Sequence, residues 1–486
     1  MPLVLEPFSE VSSSARWSSL FLLVATLLVG GIGCSKSEGP ATSDWFPDRD
    51  FIFVSIDTLR ADHLSSYGYA RATDGDVTDP WSLAWLATQS SQYQTCWAPI
   101  GKTLPSLSSF WTGLFPLEHG AISNFSGLQK PTFASLFKDN GYQTHAVVAN
   151  ATLPGSGIDQ GFDSFGLAWR DQEKTLGRQL LNKAEKAIAS GEKLMLWAHW
   201  MSPHQPYSPA PEFATTYTER REPKADNNLL YSFHRDPNSL SAEDKQYCID
   251  LYDAEILTAT SRLQEFLKGL DQRYRDAGRG GLKENAVIVF FSDHGEELAD
   301  RQGYFMHAKS LFSGVLKVPL YICAPGMPTG IVNEPISLQR VLPWLLSGEN
   351  PKQNGFPGSW QTEYYSWRQG DWTLIHNPAN SKAGPLEPPD DAQYSYPELA
   401  LFNRSSDPLE FRDVSGANRA ITEQMLGELH SWYSGLTLLE PKFLPGKDPK
   451  IRRQYLVDMG YLDSVPDTVV EPWGNIQQGS SKGSNH

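Results

Sequence analysis

Cysteine and positive charge are both scarce in this chain of 486 residues. Its 4 cysteines stand at 34, 96, 248 and 323, and no two are spaced as Cys-x-x-Cys. That excludes a small scaffold built on disulfides and a zinc ribbon. With Cys34 set aside in the N-terminal segment, Cys96, Cys248 and Cys323 cannot all pair within one chain. One disulfide or buried free thiols remain as alternatives. Lys and Arg number 41 against 56 Asp and Glu, a net charge of −15. This argues against a nucleic-acid partner, because phosphate backbones are held by excess cations. An anionic substrate must then be drawn in by a bound metal or by local cations. Long apolar runs are missing too: the N-terminal stretch Leu20 to Val29 falls well short of the roughly 20 residues that cross a bilayer.

What is present suits a large globular protein. Hydrophobic residues make up 40% and aromatics 12%. Short apolar runs at Phe51–Ile56, Ala146–Ala149, Leu194–Ala198, Ala286–Phe291 and Leu320–Cys323 read as buried strands. Helical spacing lies between them, at Pro105–Phe110, Lys174–Ser190, Tyr247–Leu270 and Ser310–Val315. Strands alternating with helices predict an α/β domain with a largely parallel sheet. Polar residues follow the strands: Asp57 the first, Asn150 the second, His199 to His204 the third, Asp293-His294 the fourth. Sites in open α/β sheets form outside the carboxyl ends of strands, so these positions are the candidates.

Three segments concentrate the chemistry: Ser55-Ile56-Asp57-Thr58-Leu59-Arg60, Thr103-Leu104-Pro105-Ser106 and Ser292-Asp293-His294-Gly295. Two carboxylates, an imidazole and a hydroxyl form a ligand set for a divalent cation, with an alcohol placed to be activated by it. Asp57 ends an apolar strand, where an ionised carboxylate is costly unless bonded or metal-bound; an ordinary turn aspartate is the simpler use. Adjacent Asp293 and His294 suit Zn or Mn better than Ca, which prefers oxygen alone, with Mg also possible. Thr103 opens a segment whose Pro105 fits the first turn of a helix, and a helix N-terminus favours an oxyanion. Taken alone, Thr103 is a helix cap; among the other motifs it is a nucleophile activated by the metal.

The chain resembles the sulfatase branch of the alkaline phosphatase superfamily. The landmarks are FVSIDTLRADHLSSYGY (53–69), TLPSLSSFWTGLFPLEHG (103–120), SPHQPY (202–207), YDAEI (252–256) and SDHGEE…HAKSLF…VPLYICAPG (292–326). The resemblance implies a central, mostly parallel sheet flanked by helices and a smaller C-terminal α+β subdomain. It implies a metal held by Asp57, Thr103, Asp293 and His294. His204 matches the family's substrate-facing histidine, with Ser202 where Asp is common, and His307 and Lys309 match a further His/Lys pair. These three would stabilise charge or protonate a leaving oxygen. Lys102 is as well explained as a solvated lysine, His199 as a packed core residue, and Asn150 is a weak candidate. Asp62 and His63 are expected to be structural.

The nucleophile position departs from sulfatases, which carry a Cys or Ser, then Pro two and Arg four residues on, for conversion to formylglycine. Here Thr103, Pro105 and Leu107 stand in that order. Threonine resembles instead the phosphodiesterase, phosphatase and phospho-group transferase branches. The expected function is cleavage of phosphate esters through Thr103. A sulfuric ester hydrolase acting without formylglycine and a non-catalytic surface-binding protein are the alternatives.

The N-terminus reads as a targeting segment: Arg16, the apolar run, then Gly30-Gly31-Ile32-Gly33-Cys34. Cys after Gly-Ile-Gly resembles a bacterial lipoprotein cleavage box, with Gly31 where Leu is usual. This predicts export and a membrane tether through a lipidated Cys34 in the bacterial envelope, with plain secretory cleavage or an uncleaved anchor as alternatives. The expected organisation is a signal segment (1–34), a linker (35–48), the metallohydrolase domain (49–348), a C-terminal subdomain (349–465) and a disordered tail (466–486). Within it, 208–244 is expected to run over the surface, strands are expected at Thr362–Arg368 and Asp371–His376, and a helix at Arg419–Tyr433.

Overall fold

The computed structural model describes residues 48–220, 230, 241–300, 305–307, 310–348, 352–378, 397–442 and 444. The targeting segment with Cys34, most of 208–244, Lys309, most of the loop 378–397 and the tail lie outside the described residues.

The strands of the main domain are β1 (Asp50–Ile56), β2 (Ser91–Trp97), β3 (Gln143–Val148), β4 (Ser164–Leu167), β5 (Leu194–Trp200) and β6 (Ala286–Ser292), then the short β7 (Glu297–Leu298) and β8 (Phe305–Met306), β9 (Lys317–Cys323), β10 (Gly330–Val332) and β11 (Ile336–Ser337). Among the described residues a nine-stranded sheet runs β10-β2-β9-β6-β1-β5-β3-β4, with β11 beside β2. β1, β3, β4, β5 and β6 pair in parallel. β9 runs antiparallel to both β6 and β2. The sheet is therefore mixed at one side, and the apolar run of β9 carries no information about direction.

Side-chain alternation along the central strands builds two cores, one on each face. Phe51, Phe53, Met195, Trp197, Val287, Val289 and Phe291 enter one; Ile52, Val54, Ile56, Leu196, Ala198, Ile288 and Phe290 enter the other. Strands buried on both faces read as continuous apolar runs, which is why these three were legible. β2 (SQYQTCW) is polar enough to escape that reading.

The three longest helices of the main domain among the described residues are α1 (Thr103–Thr112), α2 (Leu176–Ser190) and α3 (Ala242–Asp276). α3 extends the expected helix at both ends. It starts at a capping box in which Ser241 Oγ accepts from the Asp244 N–H at 3.1 Å, and it buries Leu263, Phe266, Leu267 and Leu270. Asp50 anchors the start of β1, accepting from the Leu194 N–H (2.7 Å), Arg279 Nη2 (2.7 Å) and the Tyr274 hydroxyl (2.5 Å). The helix expected at Ser310–Val315 is only the single turn Ser313–Leu316.

The C-terminal part is an antiparallel meander of β12 (Phe356–Trp360), β13 (Tyr364–Gln369), β14 (Trp372–His376) and β15 (Leu399–Asn403), covered by α4 (Arg419–Ser434). Tyr365, Trp367, Leu374, Leu401, Met425 and Leu429 form its own core. Cys96, Cys248 and Cys323 are buried free thiols.

Candidate active site

The carboxyl ends of β1, β3, β5 and β6 converge on one buried polar cluster. Asp57 follows β1, with its N–H donating to the Trp200 carbonyl at 2.9 Å. Thr58 next to it is held at φ 54, a costly conformation for a β-branched residue. That turn aims the Thr58 N–H at Asp293 Oδ1 (3.3 Å), while its carbonyl accepts from the Tyr252 hydroxyl (2.7 Å). After β6, Gly295 meets the need for space, not for an unusual φ: a Cβ there would lie 2.1 Å from the Gly314 carbonyl oxygen.

Asp57, Asp293 and His294 are fully buried, and one ligand atom from each lies within 4.8 Å of the others. Asp57 Oδ1, Asp293 Oδ2 and His294 Nε2 have no hydrogen-bond partner. His294 Nδ1 faces the Gly295 carbonyl at 2.9 Å. A carbonyl only accepts, so Nδ1 carries the proton and Nε2 turns a lone pair to the cluster. Three unsatisfied buried ligand atoms of this kind fit a divalent cation.

The electrostatics agree. Burial and then the neighbouring Asp57 charge raise Asp293 well above the usual carboxylate range. Burial opposes the ionisation of Asp57 as well, but the contact with His199 and the nearby imidazoles of His204, His199 and His294 outweigh it and hold its carboxyl down. Two close carboxylates resist double ionisation until a cation joins them. Burial, followed by His307, pushes His294 down to about 3, the neutral form a metal requires.

Thr103 is the first residue of α1 and is fully buried. Its Oγ1 donates to Asp57 Oδ2 across 3.4 Å, a long and weak contact. Leu104 N–H is committed to Asn124 Oδ1 (3.1 Å) and Pro105 has none, so the helix end offers an anion less than the sequence suggests. Ser106 Oγ donates to the Asp293 carbonyl (2.6 Å), tying α1 to the β6 turn.

His204 and His307 border this cluster. The His307 ring centroid lies 4.5 Å from that of His294 and 5.0 Å from that of His204. His204 Nδ1 donates to the Gln205 carbonyl at 2.6 Å, leaving Nε2 unpartnered. His307 Nδ1 pairs with Glu296 Oε1 at 2.9 Å, and burial pushes His307 down to about 4. Lys309 lies outside the described residues. Lys102 stacks over the Trp360 ring at 4.2 Å.

Other residues gain a place that sequence reasoning left open or passed over. His199 Nε2 is 3.4 Å from Asp57 Oδ2, its Nδ1 held by Ser55 Oγ at 2.9 Å. Asn150 Nδ2 donates to Asp57 Oδ2 at 3.1 Å, its oxygen fixed by the Thr152 N–H (3.0 Å) and hydroxyl (2.7 Å). Glu296 was legible only as part of a landmark. Arg170 had no signal at all, yet its guanidinium donates to the carbonyls of His204, Gln205 (2.7 Å) and Pro206 (2.6 Å) and lies 3.5 Å from Glu255. Asp62 pairs with Arg60 at 2.8 Å and His63 with Asp253 at 2.7 Å, both structural.

A parallel-centred α/β sheet with two carboxylates, an imidazole and a hydroxyl at its strand ends defines a hydrolase of the sulfatase type. A sequence model of the Sulfatase family matches residues 49–347, and the chain belongs to that family, within the alkaline phosphatase superfamily. It is 21% identical over 419 residues to the choline-sulfatase of Rhizobium meliloti (strain 1021), covering 71% of this chain and 79% of that protein. Among solved structures, the phosphonate monoester hydrolase of Agrobacterium radiobacter superposes with a TM-score of 0.58 at 16% identity, over 84% of this chain and 96% of its own. BT4656, solved in complex with its substrate D-glucosamine-2-N,6-O-disulfate, gives 0.58 at 17% identity over 80% and 98%. At these identities the structural likeness speaks for the fold alone.

Proposed function

We propose that this hydrolase cleaves phosphate esters through a covalent intermediate on Thr103. The observation that carries the proposal is the Thr103 hydroxyl, buried beside the candidate metal ligands and bonded only loosely, across 3.4 Å, to Asp57 Oδ2. Asp57, Asp293 and His294 would hold the cation, with Thr103 beside them; Zn or Mn suits the mixed oxygen and nitrogen donors better than Ca or Mg. When bound, the cation lowers the cost of ionising the threonine hydroxyl and polarises the ester oxygen.

In the proposed cycle Thr103 Oγ1 bonds to phosphorus as the bond to the leaving alkoxide breaks. The hydroxyl proton passes to a neighbouring base, for which the neutral imidazoles of His204 and His307 are candidates, and the leaving alkoxide takes a proton from the imidazolium so formed or from water. Water, or an acceptor alcohol in a transferase, then displaces threonine from phosphorus. Once protonated in the cycle, His204 and His307 stabilise the developing charge, and Lys309 is proposed to add to it. Asn150 and His199 orient Asp57. The segment 1–34 is proposed to export the protein and tether it through Cys34. The boundaries near residue 348 and residue 465 are likewise proposed.

A second reading, a sulfuric ester hydrolase without formylglycine, is favoured by the likeness to choline-sulfatase. Threonine cannot form the aldehyde, so a sulfate ester would be attacked by the same hydroxyl. Turnover of matched aryl phosphates and aryl sulfates, with Thr103→Ala beside the parent, separates the readings. Faster phosphate cleavage that the variant loses supports the proposal. Faster sulfate cleavage supports the second reading, and unchanged turnover by Thr103→Ala removes the threonine mechanism.

A further inference from the structure

Ser310 to Leu316 follow His307 closely in the chain and end in the single turn Ser313–Leu316. One side of this segment lies against the turn after β6. The Gly295 N–H donates to the Val315 carbonyl at 2.7 Å, and the Ser310 hydroxyl donates to Glu297 Oε1 at 2.5 Å. Ser310 also ties the segment back to the site, its N–H donating to the His307 carbonyl at 2.9 Å. A shift of Ser310 or Leu311 would therefore move the backbone of His307.

The C-terminal subdomain grips the same segment with two buried charged side chains. Arg368, on β13, is 1% exposed. Its Nη2 donates to the Leu311 carbonyl, its Nη1 donates to Ser366 Oγ at 2.7 Å, and its guanidinium stacks on the Trp97 ring at 4.5 Å. Glu410, in the loop between β15 and α4, is as deeply buried and is held at φ 57. Its Oε2 accepts from the Ser313 N–H at 2.7 Å, and its Oε1 from the Thr373 hydroxyl at 2.5 Å. A left-handed glutamate and a buried guanidinium are both costly. Each is nevertheless committed to one backbone group of the segment, two residues apart. Apolar side chains would hold a mere packing contact at less cost; buried charges that bond backbone groups fix a geometry.

We propose that Arg368 and Glu410 are positioning residues, which fix the segment after His307 and so set the imidazole of His307 beside His294 and His204. The inference rests on the role proposed above for His307. Neither residue touches substrate or a reacting atom; both act through the backbone of Leu311 and Ser313. A reacting group displaced by about 1 Å can lose about 10²-fold in rate, so such a grip matters even where it adds little stability. The C-terminal subdomain then belongs to the catalytic unit and is more than an appendage packed against it.

The test measures kcat and KM of the full chain beside Glu410→Ala, Glu410→Gln and Arg368→Lys, each alone and combined with His307→Ala. The substrate is whichever of the matched aryl phosphate and aryl sulfate the parent turns over faster, and urea unfolding selects the variants that fold. Glu410→Ala and Arg368→Lys should each lower kcat by about 10–100-fold and leave KM within about twofold. Glu410→Gln keeps an acceptor for the Ser313 N–H and should recover most of the rate. In the His307→Ala background both losses should shrink to less than about twofold, because the histidine they place is gone. Should Glu410→Ala fail to fold, Arg368→Lys decides. If Glu410→Ala and Arg368→Lys keep the parent kcat while His307→Ala loses it, this proposal falls and the role of His307 stands. Losses that persist in full without His307 would show general structural support and overturn it too. Full kcat in His307→Ala, or a parent inert to both esters, would remove the role of His307 and this proposal with it.

Discussion

Replacing Arg170 by alanine should cripple turnover without touching any reacting atom. Its guanidinium serves three consecutive carbonyls, those of His204, Gln205 and Pro206, and lies beside buried Glu255. Glu255 in turn accepts from the Ser208 N–H at 2.6 Å, so Arg170 clamps both ends of the segment that carries His204. Hydrogen bonds from a charged donor contribute about 1.5–3 kcal/mol each. Their shared cation and the partly exposed arginine, 16% by side chain, reduce the sum, and a loss of about 2–4 kcal/mol in folding stability is expected. Removing the cation also leaves Glu255 buried and uncompensated. Loss of a residue that orients a site histidine typically costs about 10–100-fold in activity, and the fall should appear in kcat, because His204 is proposed to act on the developing charge. Arg170→Lys keeps the charge but not the planar fork and should recover stability more than rate. Millimolar guanidinium ion should restore part of the rate of Arg170→Ala. Steady-state kinetics and urea unfolding of both variants provide the measurement. A kcat of Arg170→Ala within twofold of the parent, or a loss equal in Lys and Ala with no rescue, would refute the positioning role.

Three further outcomes follow from the same geometry. Acid-quenched protein incubated with an aryl phosphate should carry one phosphoryl group on Thr103 by mass spectrometry, and Thr103→Ala should lose at least about 10³-fold in kcat/KM; a modified residue elsewhere would reassign the nucleophile. Chelation should lower the melting temperature, and a divalent ion at 100 times its Kd should return about 2.7 kcal/mol; if Zn, Mn, Ca and Mg all leave the melting curve unmoved, the metal site is wrong. Asp163 is held below its ordinary range: burial raises it, but Lys138 and the Thr144 N–H and hydroxyl outweigh that. Its folded pKa lies below the unfolded value near ~3.9. The stability it contributes is therefore complete above that value and lost as pH falls through the folded pKa. Asp163→Asn should flatten the decline in urea stability below about pH 4; an unchanged slope would count against the ion pair.

Most of the fold was readable because its central strands are buried on both faces. Phe51–Ile56, Leu194–Ala198 and Ala286–Phe291 must be apolar throughout, and such runs stand out in one dimension. Strand β2, half polar, and β12, interrupted by Pro357 and Gly358, carry no such mark; their pairing depends on partners far along the chain. Asp57, Asp293, His294 and Thr103 were legible as candidates because each ends a strand or opens a helix in a recognisable motif. Their roles rest on the experiments above.

By itself, then, the sequence determined the α/β class, the polar residues at the strand ends and the hydroxyl in place of a modifiable cysteine. These are properties of local pattern and residue type. Only the tertiary structure decided that His199 and Asn150 face Asp57, that Arg170 binds the carbonyls beside His204, and that Arg368 and Glu410 bond the segment that follows His307. Those relations join segments tens to hundreds of residues apart. No periodicity encodes them; they exist once the sheet order sets which loops become neighbours.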